Sequence, residues 1–386
     1  MSMTLLGGYP DRHIVFLGAN SSHLFGQLAR LYVKSKFLSS GDELVLASEN
    51  HLANVKPWIE AAREIGGRTL WWTSCDLSQK IGAFSNGEYF AASTDFNSLL
   101  SANTRLVCLS HSSNILAQLR DIKALCRKVR QQCPRAHIVV DGVAACPHSY
   151  AAVDDLGVDF YCVSYHKSFG PHIGAMIGRK DAIDDIVTKA PLKNEKEVYQ
   201  IFESGTLNYE GCNGIIGVGN YFAALGSFGR NNESHEICKA SKTGEDSIQN
   251  PIWSAVNRVL CAGVVKEAYH RISVVEKECL DYVIDKLRQC KNVRIIGNCH
   301  DLPIVAFVHS TISSQMIVEW CSQHQVIIRC GSFLTTEILQ AEFNIGRQCN
   351  SDDFGGIVRI SFCHYNTLGE AHKVVDVLQS MNAWNC

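Results

Sequence analysis

The feature that most constrains the fold is a regular alternation of short apolar runs with amphipathic stretches over the first two-thirds of the chain. Residues 13–18 (HIVFLG) form the first strand candidate, and residues 21–35 follow with leucines on one helical face. Residues 43–48 (ELVLAS) repeat the pattern and lead into a second amphipathic stretch. Further strand candidates are TLWWT, RLVCLS, HIVVD, DFYCVS and GAMIG. This alternation predicts an α/β fold, with a mainly parallel sheet and helices in a large three-layer domain.

The last third of the chain has a different pattern. Its composition turns polar around residues 231–250, and a long helical stretch runs from Trp253 to Cys290. The remainder predicts strand, strand, helix, strand, strand and helix in that order. We therefore expect a large domain over residues 1–250, followed by a long connecting helix and a small α+β domain over residues 251–386.

Charge and composition exclude several classes of partner and ligand. The 36 Lys and Arg residues nearly balance the 38 Asp and Glu residues, so nothing electrostatic favours nucleic acid or an anionic membrane. No apolar run approaches the roughly 20 residues of a membrane-spanning helix, and the first residues do not resemble a secretory signal. The 17 cysteines are scattered singly, which predicts small core residues without a metal site. We expect a cytoplasmic protein.

A lysine lies three residues after one of the apolar strand candidates. The run DFYCVS leads into Lys167, and Gly170 and Pro171 come shortly after it. We expect this lysine at the end of a buried strand, where desolvation would lower its pKa and let it attack an aldehyde. The alternative is an ordinary lysine without a chemical role.

An aspartate ends the preceding strand candidate. Asp141 closes HIVVD and stands just before Gly142. Pyridoxal phosphate needs a lysine that forms an imine and a carboxylate that faces the pyridine nitrogen, and Lys167 with Asp141 would supply both. Taken alone, Asp141 could equally be a helix cap or a turn residue.

Several motifs together resemble a known family. They are VVDGVAACPH, VDFYCVSYHKSFGPHIGAMIGRK, GANSSHLF, ENHLANVKPW, HSSNILAQ, FESGTLNYEG and GGIVRISFCHYNT. Their order resembles the class V aminotransferases, a family that includes cysteine desulfurases and isopenicillin N epimerase. The resemblance is closest to the cysteine desulfurase-like branch, which includes fungal secondary-metabolism enzymes such as the ustiloxin decarboxylative aldolase. It implies a fold-type-I enzyme that depends on pyridoxal phosphate.

The resemblance also implies which residues hold the cofactor phosphate. The phosphate contacts that it assigns are Asn20, Ser21, Ser22, Ser164 and His166. Without the family, Ser21 and Ser22 would be an ordinary helix N-cap. Thr206 resembles a threonine that reaches the phosphate of the neighbouring subunit, so the resemblance implies a homodimer with shared active sites.

Four further residues resemble groups that contact the ring and the substrate. His51 matches a histidine that stacks on the pyridine ring and can move protons, and Asn114 matches an asparagine near the cofactor hydroxyl and the substrate. Arg359 matches the arginine that grips the substrate carboxylate, with Arg329 near the same entrance. A surface histidine and plain edge-strand arginines are the alternatives for these positions.

The chain also departs from the family at several positions. Leu334 stands where cysteine desulfurases have their nucleophilic cysteine, and Cys330 lies closer to the preceding arginine. Ala144 replaces the glutamine that bonds the phenolic oxygen of the cofactor, a contact that His148 could supply. Only about a dozen residues precede HIVFLG, fewer than in most relatives, which raises the alternative of a shortened pseudoenzyme.

The combined prediction is an enzyme that acts at the α- or β-carbon of a small amino-acid-like substrate through Lys167. Lyase chemistry or carbon–carbon or carbon–sulfur bond chemistry in secondary metabolism fits the branch best, and this ranking rests on family analogy. The alternatives are a class V aminotransferase, a cysteine desulfurase that uses Cys330, and a pseudoenzyme.

Overall fold

The computed structural model describes most of the chain as two compact units. The described residues are 1–73, 92–93, 95–188, 195–203, 205–228, 260–297, 301–336, 356–382 and 384. The first unit comprises Met1–Phe37 and Cys146–Ser273, and the second comprises Leu38–Ala145 and Val274–Cys386. The predicted domain boundary at residue 250 lies outside the described residues, so it stays a prediction.

Helices and strands alternate along the chain as the apolar pattern predicts. The described helices are α1 Ser2–Leu6, α2 Ser21–Lys34, α3 Lys56–Ile65, α4 Ile122–Gln132, α5 Val153–Leu156, α6 Lys180–Val187, α7 Glu195–Phe202, α8 Tyr209–Ser227, α9 Ala262–Gln289, α10 Ser314–Gln323 and α11 Leu368–Gln379. The described strands are β1 His13–Gly18, β2 Glu43–Ala47, β3 Arg68–Trp72, β4 Ala92–Ser93, β5 Thr104–Ser110, β6 His137–Asp141, β7 Phe160–Ser164, β8 Gly174–Arg179, β9 Val293–Ile296, β10 Ile304–His309, β11 Arg329–Gly331 and β12 Ile357–Ser361. None of the described helices is long and apolar enough to span a membrane.

The first unit is built around strands β1, β7 and β8. Strand β8 lies between the other two and runs antiparallel to both. Its central residues, Ala175, Met176 and Ile177, are fully buried, as expected for a strand whose two faces are both covered. The ring of Phe16 on β1 stacks on Phe202 of α7, with 4.4 Å between the ring centroids. The last residue of β7, Ser164, pairs with the first residue of β8, Gly174, which lies against the first turn of α2.

The second unit contains the parallel strands and a small antiparallel sheet. Its parallel strands follow the order β6-β5-β2-β3-β4, and strands β2 and β5 are buried along their length. The carboxyl ends of parallel strands meet at one edge, where α/β folds place their ligands. The small sheet has the order β11-β12-β10-β9, with every pair antiparallel.

Most predicted elements are confirmed, and the differences have physical causes. Helices α6, α7 and α8 carry no sequence prediction, and α8 contains several glycines, which have low helix propensity. Buried packing of Ile215, Val218 and Phe222 stabilises α8 instead. Helix α9 covers much of the predicted long helix, whose first part lies outside the described residues.

Candidate active site

Lys167 lies in a short 3₁₀ turn, Tyr165–Lys167, that directly follows β7. The side chains of Tyr165 and Ser168 are buried, whereas His166 and Lys167 are exposed. The prediction of a buried lysine was therefore wrong. Strand β7 is buried, but successive side chains of the 3₁₀ turn after it point about 120° apart. Tyr165 and Ser168 therefore stay in the core, while His166 and Lys167 point out of it.

The backbone after Lys167 is held in an unusual conformation. Phe169 has a φ of 63°, a left-handed value that bulky residues rarely adopt and that costs about 1–3 kcal/mol. The carbonyl of Tyr165 accepts hydrogen bonds from the amides of Ser168 and Gly170, each at 2.8 Å. Since these bonds close the turn around Lys167, they fix the direction in which its side chain leaves the backbone.

Polar side chains surround the lysine within the first unit. The Oγ of Ser164 lies 2.8 Å from Nδ1 of His166, and the rings of His166 and His172 stack with centroids 5.0 Å apart and planes 4° from parallel. Burial, the charge of Lys167 and the neighbouring His172 lower the pKa of His166 below 6.5. His166 is therefore mainly neutral at pH 7, which suits a hydrogen-bonding role.

The residues predicted to contact the phosphate, Asn20, Ser21 and Ser22, form the start of helix α2. The N-cap of this helix is Asn20, whose side chain accepts a hydrogen bond from the amide of His23 at 2.8 Å, so the alternative of a Ser21–Ser22 cap was wrong. A Cβ on Gly174 would come within 2.5 Å of the Asn20 carbonyl carbon and 2.8 Å of the Ser21 amide nitrogen. The glycine thus lets β8 approach the backbone of this helix N-terminus closely. The free amides of a helix N-terminus suit an anionic group.

Thr206 is also in the first unit. It is exposed and lies just before α8, next to Gly205, whose φ of 79° is left-handed. Among the contacts of the described residues, none ties the hydroxyl of Thr206 to its own subunit. The predicted reach toward a neighbouring subunit is compatible with this exposure and stays a prediction.

Asp141 lies in the second unit as the last residue of β6. It is buried, and its Oδ1 accepts a hydrogen bond from the amide of Val143 at 2.9 Å. Its carbonyl accepts from the amide of His111 at 2.8 Å. Burial lowers the pKa of His111 to about 4, so that neighbour is neutral at pH 7. Asp141 therefore has both the turn contact of the simpler interpretation and the strand-end position that the cofactor interpretation requires.

His51 lies in a loop that is fastened to strand β5. Its Nδ1 accepts a hydrogen bond from the amide of Ala53 at 3.1 Å, an arrangement that leaves the proton of the neutral ring on Nε2. Side-chain amides of Asn50 and Asn54 donate to carbonyls of β5 at 3.0 and 3.3 Å. The loop is therefore rigid enough to hold the half-buried imidazole in one place, although its contact with a cofactor ring stays a prediction.

A buried ion pair anchors the same loop, and the sequence analysis missed it. Glu49 is 1% exposed, and one of its oxygens lies 2.7 Å from Nη2 of Arg120. Burial raises the pKa of Glu49 above its ordinary 4.5, and the charge of Arg120 opposes that change. The guanidinium of Arg120 also lies 5.1 Å from the ring centroid of Trp72. The local sequence signal for this pair was an acidic residue two positions after the apolar strand β2.

Arg359 and Asn114 meet in the second unit. Nη1 of Arg359 donates to the Asn114 carbonyl at 3.1 Å, and Nδ2 of Asn114 donates to the Phe333 carbonyl at 3.0 Å. Nε of Arg359 and Oδ1 of Asn114 are both buried, and neither has a hydrogen-bond partner among the described residues. Burial, followed by the charge of Arg329, lowers the pKa of Arg359 to about 10. Two residues in contact therefore carry a cationic donor and a neutral acceptor that no described residue satisfies.

Strand pairing decides which neighbours share the face of Arg359. Arg329 lies opposite Arg359 across β11 and β12, which confirms that the two arginines are close. Cys330 lies opposite Val358, and both side chains pack with the apolar core of the C-terminal part. Because neighbouring residues of a strand point to opposite faces, Cys330 faces away from the arginines. This geometry disfavours Cys330 as a nucleophile beside Arg359.

The described residues fit pyridoxal phosphate in each unit taken by itself. The first unit offers an amine at Lys167 and a helix N-terminus that Gly174 lets β8 approach closely. The second unit offers a buried carboxylate at Asp141 and the donor and acceptor of Arg359 and Asn114. These are the chemical types that the cofactor and an amino acid substrate need.

Comparisons with known proteins agree with this chemistry. The family described as "Aminotransferase class-V" matches residues 4–252 and 264–374. The aminotransferase-like protein FGM3 of Gibberella zeae is 28% identical over 95% of this chain and 78% of its own length. The cysteine desulfurase-like protein ustD of Aspergillus flavus is 32% identical over 47% of this chain and 39% of its own length.

Solved structures share the fold at low sequence identity. The cysteine desulfurase CsdA of Escherichia coli superposes with a TM-score of 0.65 at 18% identity, over 98% of this chain and 81% of its own. The apo cysteine desulfurase of Thermococcus onnurineus reaches 0.67 at 18% identity, over the same shares of the two chains. These likenesses confirm the fold-type-I architecture that the sequence predicts. Together with the family match, they make this chain a member of the class V aminotransferases and an enzyme that depends on pyridoxal phosphate.

Proposed function

We propose that this enzyme breaks or forms a bond at the α- or β-carbon of an amino-acid-like substrate whose carboxylate binds Arg359. The observation that carries this proposal is a contact between Arg359 and Asn114 in which the buried Nε of the arginine and the buried Oδ1 of the asparagine both lack partners among the described residues. A buried polar group without a hydrogen bond costs about 1–3 kcal/mol, so the pair favours a ligand that satisfies both atoms. A carboxylate accepts from the arginine, and an amine or hydroxyl donates to the asparagine.

The remaining roles follow from the chemistry of each side chain. When bound, pyridoxal phosphate withdraws electrons from the substrate carbon that reacts. Lys167 attaches the cofactor and later moves a proton at the substrate carbon, and Asp141 keeps the ring nitrogen protonated. His51 covers the ring and exchanges a proton through Nε2. Ser164, His166 and the first turn of α2, with Asn20, Ser21 and Ser22, bind the phosphate.

Lyase chemistry at the β-carbon or carbon–carbon bond chemistry is the reaction type that we favour. Relatives are described as cysteine desulfurase-like and probable cysteine desulfurases, and one solved neighbour is described as a cystine C–S lyase. The inward direction of Cys330 argues against a desulfurase that would carry sulfur on this residue. Transamination is the second candidate, because FGM3 is described as aminotransferase-like.

We also propose a homodimer in which Thr206 of each subunit contacts the phosphate of the other. The exposure of Thr206 supports this arrangement. Sedimentation at micromolar concentration should give a dimer, and a monomer would contradict shared active sites. A role in secondary metabolism and a cytoplasmic location stay predictions from the sequence.

An absorbance spectrum tests the cofactor assignment. The wild-type protein with pyridoxal phosphate should show the visible band of lysine-bound cofactor, and K167A should lack it. K180A is the matched control, because Lys180 belongs to the same unit but lies at the start of α6, and it should keep the band. A wild-type protein without the band would contradict an active enzyme and favour the pseudoenzyme. A band that persists in K167A would contradict Lys167.

Product analysis then separates the reaction types. A panel of amino acids should yield products of bond cleavage or bond formation at the α- or β-carbon. Equimolar keto acid and pyridoxamine phosphate would instead indicate transamination, and alanine with a protein persulfide would indicate desulfuration. R359Q should raise KM for carboxylate substrates more than it lowers kcat, because Arg359 binds the group that does not react. An unchanged KM would contradict the role of Arg359.

A further inference from the structure

A short segment of the second unit connects the carboxylate arginine with the His51 loop. We call residues 332–336 the strap. The Phe333 carbonyl accepts a hydrogen bond from Asn114, and the Leu334 carbonyl accepts one from the amide of Leu52 at 2.9 Å. Thr335 forms an isolated β-bridge with His51. Thr336 continues this pattern, because its Oγ1 donates to the Ser48 carbonyl at 2.5 Å. Successive strap residues therefore attach to different parts of the candidate site.

The strap backbone is held in an unfavourable conformation. Phe333 and Leu334 have φ values of 53° and 54°, so two consecutive non-glycine residues are left-handed. Thr335 closes the turn through its amide and hydroxyl, which donate to the Ser332 carbonyl at 3.1 and 2.7 Å. Such a conformation persists only where surrounding contacts over-determine it, and such sites cluster at ligand-binding positions. The contacts with Asn114 and the His51 loop supply that constraint.

This conformation directs the ring of Phe333 onto Arg359. The ring centroid lies 4.3 Å from Cζ of the guanidinium, within the range of a cation–π contact. The ring therefore covers one face of Arg359. Nη1 is already occupied by the Asn114 carbonyl at 3.1 Å. What the guanidinium can offer a ligand is the edge formed by Nε and Nη2, whose N–H bonds point the same way.

Because the Nε–Nη2 edge of Arg359 is open in the guanidinium plane but covered on one face, it should discriminate between anions of different shape. A carboxylate is planar and fits the two donors of one guanidinium edge with both oxygens in plane. A phosphonate is tetrahedral, so when two oxygens meet the edge the third projects above or below that plane. The alkyl carbon projects to the opposite side from this third oxygen, so one of the two always meets the face that the Phe333 ring covers, whereas a carboxylate keeps its carbon in the plane.

We propose that Phe333 is a specificity-determining residue that restricts Arg359 to planar carboxylates. This inference rests on the proposed function, since it deepens the role of Arg359 as the substrate carboxylate site. Phe333 acts through the arginine, so it is a positioning residue for that site.

The test measures anion binding and does not depend on turnover. Nitrogen-15 NMR of the arginine Nε–H groups in the full chain, with and without pyridoxal phosphate, would follow titrations with propionate and with ethylphosphonate. The wild-type signal of Arg359, assigned by its loss in R359Q, should shift with propionate at lower concentration than with ethylphosphonate. F333A should lower this preference roughly tenfold, on the scale of a lost cation–π contact and a water-accessible face. F333Y keeps the ring and should keep the preference.

A matched control and a second variant complete the design. I327A removes a large exposed side chain just before β11, outside the strap, and should keep the wild-type preference. If F333A does not fold by circular dichroism, F333L replaces it with a smaller expected change in the same direction. An unchanged preference in F333A or F333L, loss of preference in F333Y, or no propionate response in the wild type would overturn the proposal. Failure of the proposed function would appear separately, as a wild-type protein without lysine-bound cofactor.

Discussion

Removal of Arg120 should destabilise the protein in a way that depends on pH. Glu49 is fully buried, and its pKa is already raised by burial even with Arg120 2.7 Å away. In R120M the buried carboxylate loses its counter-charge, so Glu49 must take up a proton when the chain folds. The unfolded chain releases that proton above a pKa of 4.5. A raised pKa in the folded state means that stability is full below the unfolded pKa and is lost as the pH rises.

The loss of stability in R120M depends on how far the pH of the experiment lies above 4.5, the ordinary pKa of Glu49. Between 4.5 and pH 7 each pH unit costs about 1.4 kcal/mol, so R120M should lose roughly 3 kcal/mol at pH 7 and under about 1 kcal/mol at pH 5. Urea unfolding at both pH values, followed by tryptophan fluorescence, measures this difference. E49Q/R120M carries no buried charge at this pair and should recover most of the loss at pH 7.

The control is an exposed ion pair on helix α9. Lys277 and Asp281 lie 2.8 Å apart with side chains that are 70% and 57% exposed, so K277M should cost less than about 1 kcal/mol at either pH. Equal losses of stability in R120M at pH 5 and pH 7 would contradict an effect of the buried Glu49 charge. Failure of E49Q/R120M to recover stability would refute it as well, because the loss would then come from packing.

Three further outcomes check other parts of the site. G174A should weaken pyridoxal phosphate binding more than pyridoxal binding in equilibrium titrations, because the added methyl group would collide with the Asn20 backbone; equal weakening would contradict a phosphate role. C330S should keep product formation within about twofold of wild type, because Cys330 packs with the C-terminal core and faces away from Arg359. Complete loss of product would restore the desulfurase alternative. H172N should raise the pKa of His166 in a proton NMR titration, because His172 is one of the groups that lower it, and an unchanged pKa would show that burial and Lys167 account for the shift.

Much of the fold could be predicted because its signals are local. Strands β1, β2, β5, β6 and β7 are short apolar runs, and a buried strand needs only such a run between turn residues. The positions of Asp141 at the end of one strand and of Lys167 shortly after another follow from the same runs. Helix α8 escaped prediction because its stability depends on tertiary packing, while its glycines oppose helix formation locally.

The candidate site was predictable only in part. Family motifs identify Arg359 and Asn114, but their mutual contact joins residues 245 positions apart, and the contact of Asn114 with Phe333 joins residues 219 apart. No periodicity relates positions that are so far apart in the chain. The sequence therefore could not show that Nε of Arg359 and Oδ1 of Asn114 lack hydrogen-bond partners among the described residues. The exposure of Lys167 is a similar case, because the turn geometry after β7 and not the apolar run before it decides the direction of the side chain.

Local sequence patterns set most of the strands and helices, α8 excepted, and the chemical groups at their ends. These properties depend on neighbours within a few residues, where apolar periodicity and turn chemistry act. Only the tertiary structure decided that Arg120 neutralises Glu49, that Phe333 covers Arg359, and that Cys330 faces the core. Each of these depends on burial and on contacts between distant segments, and those exist only once the chain has folded.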